Sequence, residues 1–137
     1  MIQADDPSGG PEVHRDPISV LVVEDEALIR MVIADHLRDT GFEVTEARSA
    51  DEAIQILGGA QKVDIVFSDV NLPGTMNGID LALWLRSNQS SVLVMLTSGV
   101  GAQDMPPDIR GRIPMIMKPY DLDTVVHRLK ILAAGSR

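Results

Sequence analysis

Apolar residues recur along this chain in two alternating patterns. Ile18–Val23 (ISVLVV) is a continuous β-rich apolar run, the mark of a strand covered on both faces. Ala27–Asp39 repeats at helical spacing and stops at Gly41, a residue suited to ending a helix. Phe42–Ala47 (FEVTEA) alternates apolar with polar, as a half-exposed edge strand does. Ser49 and Glu52 make the S-x-x-E pattern of a capping box. The helix they open puts Ala50, Ala53, Ile54 and Leu57 on one face and ends at Gly58-Gly59. Val63–Ser68 (VDIVFS) predicts a largely buried strand. A polar loop bearing Pro and Gly, Asp69–Asn77, leads into a helix over Gly78–Arg86. Val92–Thr97 (VLVMLT) predicts another buried strand. Ser98–Arg112 is rich in Gly and Pro, so any helix there is short. Ile113–Met117 (IPMIM) predicts a last strand, and its Pro114 suits a sheet edge better than a centre. Asp121 then caps an amphipathic helix with Leu122, Val125, Val126, Leu129, Leu132 and Ala133 on its apolar side.

Five strands alternating with helices imply an α/β chain with a doubly wound parallel sheet, since crossovers of this length return each strand in the same direction. Edge character at the second and fifth strands matches the order 2-1-3-4-5 of flavodoxin-like (βα)5 folds. Residues 1–16 hold two prolines, Gly9-Gly10 and several charges, and are expected to form a flexible tail before one folded domain over 17–137.

With 137 residues, 45% of them apolar, a single domain has enough material for a real core. No apolar run reaches the roughly 18 residues of a membrane span, and the acidic N-terminus lacks the apolar stretch of a secretory signal. A cytoplasmic location is the simplest expectation. Cysteine is absent, which excludes disulfides, thiol chemistry and thiolate metal sites. The formal net charge of −8 repels phosphate backbones and anionic lipid, so neither nucleic acid nor membrane is an expected partner.

In open parallel sheets, ligands bind beyond the carboxyl ends of the strands. Glu24, Asp25 and Glu26 follow the first strand, Asp69 the third, Thr97 and Ser98 the fourth, and Lys118-Pro119 the fifth. If strands one and three are neighbours, Glu24, Asp25 and Asp69 converge, and their charges need compensation. Lys118, immediately after the fifth strand, is a cation placed to supply it. A hard divalent ion would favour the same all-oxygen surroundings. One acid after a strand often does no more than cap the next helix. Three acids, a hydroxyl and a lysine at successive strand ends ask for a joint explanation.

The segments VVEDE, FSDVNLPG-x3-G, TSG and IMKPY, in this order and at these strand ends, resemble the receiver domains of response regulators in two-component signalling. The resemblance covers about Ile18 to Ala133. It implies that Asp69 accepts a phosphoryl group from a sensor histidine kinase or phosphotransfer protein. It implies that Glu24, through water, and Asp25 hold Mg²⁺ (or Mn²⁺), with Asp69 and the backbone carbonyl of Asn71. Ser98 would donate its hydroxyl to one phosphoryl oxygen and Lys118 would pair with another. Gly99 favours Ser98 over Thr97 in that role, because a glycine usually follows it. A cis peptide bond is expected before Pro119. The implied module is regulatory rather than an enzyme. It would act on an unknown downstream protein, through a face made by the fourth helix, fifth strand and fifth helix, or serve as a phosphate sink.

Three features depart from the family pattern. The loop between Asp69 and Gly78 is one residue longer than usual, the fourth-helix region is short and proline-broken, and Met115 stands where an aromatic is common. Such traits resemble receivers of hybrid kinases or stand-alone modules. Two other functions compete. A pseudo-receiver would bind a partner constitutively and never use Asp69. A metal-dependent hydrolase would need a second acid two residues after its nucleophile, where this chain has Asn71. His14, His36 and His127 read as solvated surface residues. Met31, Met95, Met115 and Met117 read as packing, Trp84 as partly buried, and Tyr120 as a rim residue.

Overall fold

The computed structural model describes residues 16–88, 90–99, 105–107 and 111–136. The elements run β1 (Ser19–Val23), α1 (Ala27–Asp39), β2 (Glu43–Ala47), α2 (Ala50–Leu57), β3 (Ile65–Asp69), α3 (Gly78–Ser87), β4 (Leu93–Ser98), β5 (Met115–Met117) and α4 (Leu122–Ser136). The strands form one sheet in the order β2-β1-β3-β4-β5, with every pairing parallel. The expected fold and strand order are therefore the observed ones. The expected N-terminal tail and most of the fourth-helix region lie outside the described residues.

Alternate residues of the central strands feed two cores. Val20 and Val22 of β1, Phe67 of β3 and Met95 of β4 pack with Ile33 and Leu37 of α1 and with Val125 and Leu129 of α4. Leu21, Val23 and Val66 face the other way, against Ala50 and Ala53 of α2 and Leu81 and Leu85 of α3. Burial of each such valine or leucine contributes about 1.5–3 kcal/mol, so this two-sided pattern fixes the register of the sheet.

Several boundaries differ from the sequence expectation, each for a local reason. β3 starts at Ile65 rather than Val63, because Asp64 is used to close the sheet's lower end. Its carboxylate accepts from Ser19 N at 2.9 Å and its own N–H donates to Ser19 O at 2.9 Å. β3 continues to Asp69 and β4 to Ser98, one residue beyond expectation, because Asp69 pairs with Thr97 and Ser98 with Met117. β5 loses Ile113 and Pro114. Proline has no N–H for the ladder, yet its carbonyl still accepts from Leu96 N at 2.9 Å.

The expected capping box at α2 is only half present. Ser49 Oγ accepts from Glu52 N at 3.1 Å, but the Glu52 carboxylate turns back to Arg48 N at 2.7 Å. A complete box stands at α3 instead. Asn77 Oδ1 accepts from Asp80 N, and Asp80 Oδ2 accepts from Asn77 N, both at 2.9 Å. Two methionines are also corrected. Met31 and Met117 are 50% and 43% exposed, so neither is core, whereas Met95 is buried. Met31 sits on the outer stripe of α1 beside Leu28 and Val32, and Met117 lies on the edge strand, where one side has no neighbour. Trp84 is partly buried, as expected, and His127 is exposed. His36 approaches Asp123 of α4 at 3.2 Å. Among the described residues no helix is long and apolar enough to cross a membrane.

Candidate functional site

Parallel pairing brings every strand's carboxyl end to one rim. Val23 of β1 is level with Ser68 of β3, so Glu24 and Asp69, the next residue on each strand, come side by side. On the other flank of β4, Lys118 N donates to Ser98 O at 2.8 Å and extends the β4–β5 ladder by one residue. The lysine side chain then crosses the rim. Lys118 Nζ lies 2.9 Å from Asp69 Oδ2.

The Asp69 carboxylate is buried, at 7% exposure, and its environment is built from main chain. Its Oδ1 accepts from the Asn71 N–H at 3.1 Å, and its carbonyl accepts from Ser68 Oγ at 2.9 Å. Val70 N donates to Thr97 O at 2.9 Å, and Gly78 N donates to Val70 O at 2.8 Å. The first residue of α3 is thereby pressed onto the acceptor's own backbone. A Cβ at Gly78 would stand 2.3 Å from the Asp69 carbonyl oxygen and 2.9 Å from Val70 Cα. Only glycine fits there without displacing the strand end.

Glu24 is buried as well, at 5% exposure, and its Oε2 accepts from Glu26 N at 3.0 Å. Burial pushes its carboxyl up to about 7, and the charge of Asp69 and a hydrogen bond with Asp25 push the same way. The Glu26 N–H and the Lys118 ammonium oppose that rise without cancelling it. Lys118 shows the reciprocal effect. Burial pulls its pKa down, but the hydrogen bond and charge of Asp69, helped by Glu24, leave it raised overall. Tyr120 packs edge-on to Phe67 at 6.3 Å between ring centroids, at the rim below Lys118. Burial raises its phenol pKa, with Lys118 opposing and Glu24 and Asp69 assisting.

The rim is thus short of positive charge even with Lys118 in place. Burial is the main reason the Glu24 carboxyl is raised, and the charge of Asp69 adds to it despite the Lys118 ammonium. The donor set is all oxygen, which suits a hard divalent ion. Among the described residues no three acidic or imidazole side chains enclose a cation by themselves. Magnesium does not need that, since it binds one or two carboxylates and keeps several waters. The residues present therefore fit magnesium.

Asp25 is exposed beside Glu24, and Asn71 is exposed after Asp69. Ser98 is buried at the end of β4, at 1% exposure, next to the equally buried Thr97. The peptide bond between Lys118 and Pro119 is cis, as expected.

The family model for the response regulator receiver domain matches residues 20–130. The chain belongs to that family. This receiver domain is 33% identical over 134 residues to the transcriptional regulatory protein PdtaR of Mycobacterium tuberculosis, covering 93% of the chain and 64% of PdtaR. The receiver domain of the hybrid histidine kinase CckA superposes with a TM-score of 0.68 at 33% identity, over 84% of this chain and 98% of that one. The response regulator TrrA of Thermotoga maritima, solved with Mg²⁺–BeF, superposes at 0.73 with 23% identity, over 84% and 98%. The resemblance to hybrid-kinase receivers is consistent with the CckA match.

Sequence reading missed two residues that hold the rim. Gly78 closed the quoted loop motif but received no role. Arg30, whose guanidinium donates to the Glu24 carbonyl at 2.9 Å, has nothing in its spacing to mark it. No spacing rule signals a side chain that reaches back to main chain.

Proposed function

We propose that this receiver domain accepts a phosphoryl group on Asp69 from the phosphohistidine of a sensor histidine kinase or phosphotransfer protein, in the cytoplasm. The observation that carries this reading is the 2.9 Å contact between Lys118 Nζ and Asp69 Oδ2 beside the buried, electron-rich Glu24. An Asp69 oxygen attacks phosphorus, the phosphorus–nitrogen bond of the donor breaks, and the departing imidazole keeps that electron pair. Such transfers depend on positioning and charge neutralisation more than on proton movement.

Glu24, Asp25, the Asp69 carboxylate and the backbone carbonyl of Asn71 would hold Mg²⁺ or Mn²⁺. When bound, the ion supplies the positive charge that lets a dianionic group approach these acids. Lys118 pairs with one phosphoryl oxygen and the Ser98 hydroxyl donates to another. The module regulates and does not turn over a substrate.

The donor's contact surface is best supported on α1. Leu28, Met31 and Val32 are 77%, 50% and 57% exposed, unusually so for apolar residues on one helix. Leu28 and Val32 line a groove of about 300 Å³ together with Ile29, Ile33, Tyr120 and Leu122. It adjoins both the Glu24 loop and the Lys118–Tyr120 segment, so a donor helix lying in it would bring its histidine to the rim. Phosphorylation would then bias a two-state equilibrium read by a downstream protein, or end in a phosphate sink.

The test is incubation with acetyl phosphate and Mg²⁺, followed by intact-mass measurement. The unaltered chain should gain one phosphoryl group, and a chelator or Asp69→Asn should abolish the gain. A folded chain that stays unmodified under these conditions would establish the constitutive pseudo-receiver instead.

A further inference from the structure

The geometry points to Arg30 as a positioning residue that fixes the main chain beneath the acidic rim. The inference rests on the phosphoacceptor reading and adds to it how the metal-facing loop is held. Among the described residues, three of the four helices begin with a side-chain cap. Ser49 Oγ accepts from Glu52 N at 3.1 Å, Asn77 Oδ1 from Asp80 N at 2.9 Å, and Asp121 Oδ1 from Thr124 N at 2.8 Å. Helix α1 follows the rim directly and has none. Its N-cap residue, Glu26, makes no side-chain capping bond, and its first turn has no acidic residue.

Arg30 holds the start of α1 by a different route, donating to the loop that precedes the helix. Its Nη1 donates to the Glu24 carbonyl at 2.9 Å, and its Nε lies 3.2 Å from Glu46 Oε1 on β2. The other oxygen of Glu46 is taken by Arg38 Nη2 at 3.2 Å, which also donates to Val44 O at 3.2 Å. Glu24 N donates to Ala47 O at 3.0 Å. Both peptide groups of Glu24 are thereby tied to β2, one directly and one through the Arg30 guanidinium. The Arg30 side chain is only 14% exposed, so these bonds are well shielded from water. Its guanidinium bonds the carbonyl of Glu24 and not the carboxylate, so it acts by placing the loop.

Placement matters because magnesium demands near-ideal octahedral geometry and tolerates little displacement of its carboxylates. Partners one shell out from a metal typically change its affinity about 10- to 100-fold when removed. Arg30→Met should weaken Mg²⁺ binding to the full chain by about that factor, measured by isothermal titration calorimetry. Arg30→Lys, which can reach one of the two acceptors at a time, should fall between it and the unaltered chain. Glu46→Ala breaks the far half of the clamp and should weaken binding in the same direction. Combined with Arg30→Met it should add almost nothing. In metal-free protein, amide hydrogen exchange at Asp25 and Glu26 should rise in Arg30→Met, while exchange in β3 and β4 stays unchanged. Mg²⁺ affinity within twofold of the unaltered chain in both Arg30→Met and Glu46→Ala overturns the inference, as does full additivity of the pair. Failure of the unaltered chain to bind Mg²⁺ at all overturns instead the phosphoacceptor reading beneath it.

Discussion

Two loops carry the acids of the rim, and they are held by opposite means. The β3–α3 loop is fixed by backbone contact. Gly78 lies against the Asp69 carbonyl, Asn71 N–H holds the carboxylate, and the Asn77–Asp80 box closes the start of α3. The β1–α1 loop has no capping side chain and relies on Arg30, a long side chain reaching back from the end of the first turn of α1. Steric fit tolerates no enlargement, whereas a guanidinium clamp can be loosened by degrees. The acceptor ends the strand that enters the stiffer loop, and Glu24 and Asp25, proposed to help hold the cation, sit on the more adjustable one.

Breaking the stiff loop should produce the largest effect. Gly78→Ala forces its methyl into the Asp69 carbonyl and should cost about 2–3 kcal/mol, read as a lower midpoint in urea unfolding. Phosphorylation by acetyl phosphate should slow more than tenfold under conditions where the variant remains folded. An alanine variant with native midpoint and rate would show that the contact does not hold Asp69.

The adjustable loop should reveal itself through pH. Glu24 has a folded pKa raised from 4.5 to about 7, so between those values the native state holds a proton that the unfolded chain has released. Stability of the metal-free protein should therefore fall as pH rises from about 4.5 to 7, by something on the order of 2–3 kcal/mol. Glu24→Gln should flatten that slope, and Asp69→Asn should reduce it, because the charge of Asp69 contributes to the shift. Urea titrations with a chelator across this range measure the slope, and an unchanged slope in Glu24→Gln would place the titration elsewhere.

Smaller changes sharpen the contrast at the helix starts. Asn77→Ala removes one half of the α3 box and should cost about 1 kcal/mol. Glu26→Ser offers α1 the side-chain cap it lacks. Position 26 already has an extended backbone, with φ −83° and ψ 116°, so the serine should add about 0.5 kcal/mol in thermal unfolding. If Glu26→Ser also blunts the effect of Arg30→Met on hydrogen exchange, the two devices are shown to do the same job.

The alternation of buried and half-exposed runs revealed the sheet, because period and burial are properties of neighbouring residues. Edge character at Phe42–Ala47 and Pro114 marked the two outer strands, and the order of the inner ones was matched to a known fold rather than read from the residues. Asp69, Glu24 and Lys118 were legible because strand ends in a parallel sheet must share a rim. Strand ends themselves were read one residue short at Ser68 and Thr97, because the polar residues that follow looked like loop. They remain in the ladder through main-chain bonds that side-chain polarity does not report. Met31 was misread as core because an apolar residue at helical spacing looks alike whether it faces a sheet or a partner. The Arg30 clamp was illegible for a related reason: a carbonyl acceptor leaves no trace in the letters.

The shortest strand has a consequence for how a signal could leave the site. β5 is only three residues long and lies at the sheet's margin, yet the lysine that grips the acceptor is the very next residue. A pull on that ammonium would meet few cross-strand bonds, because β5 pairs with β4 over three residues.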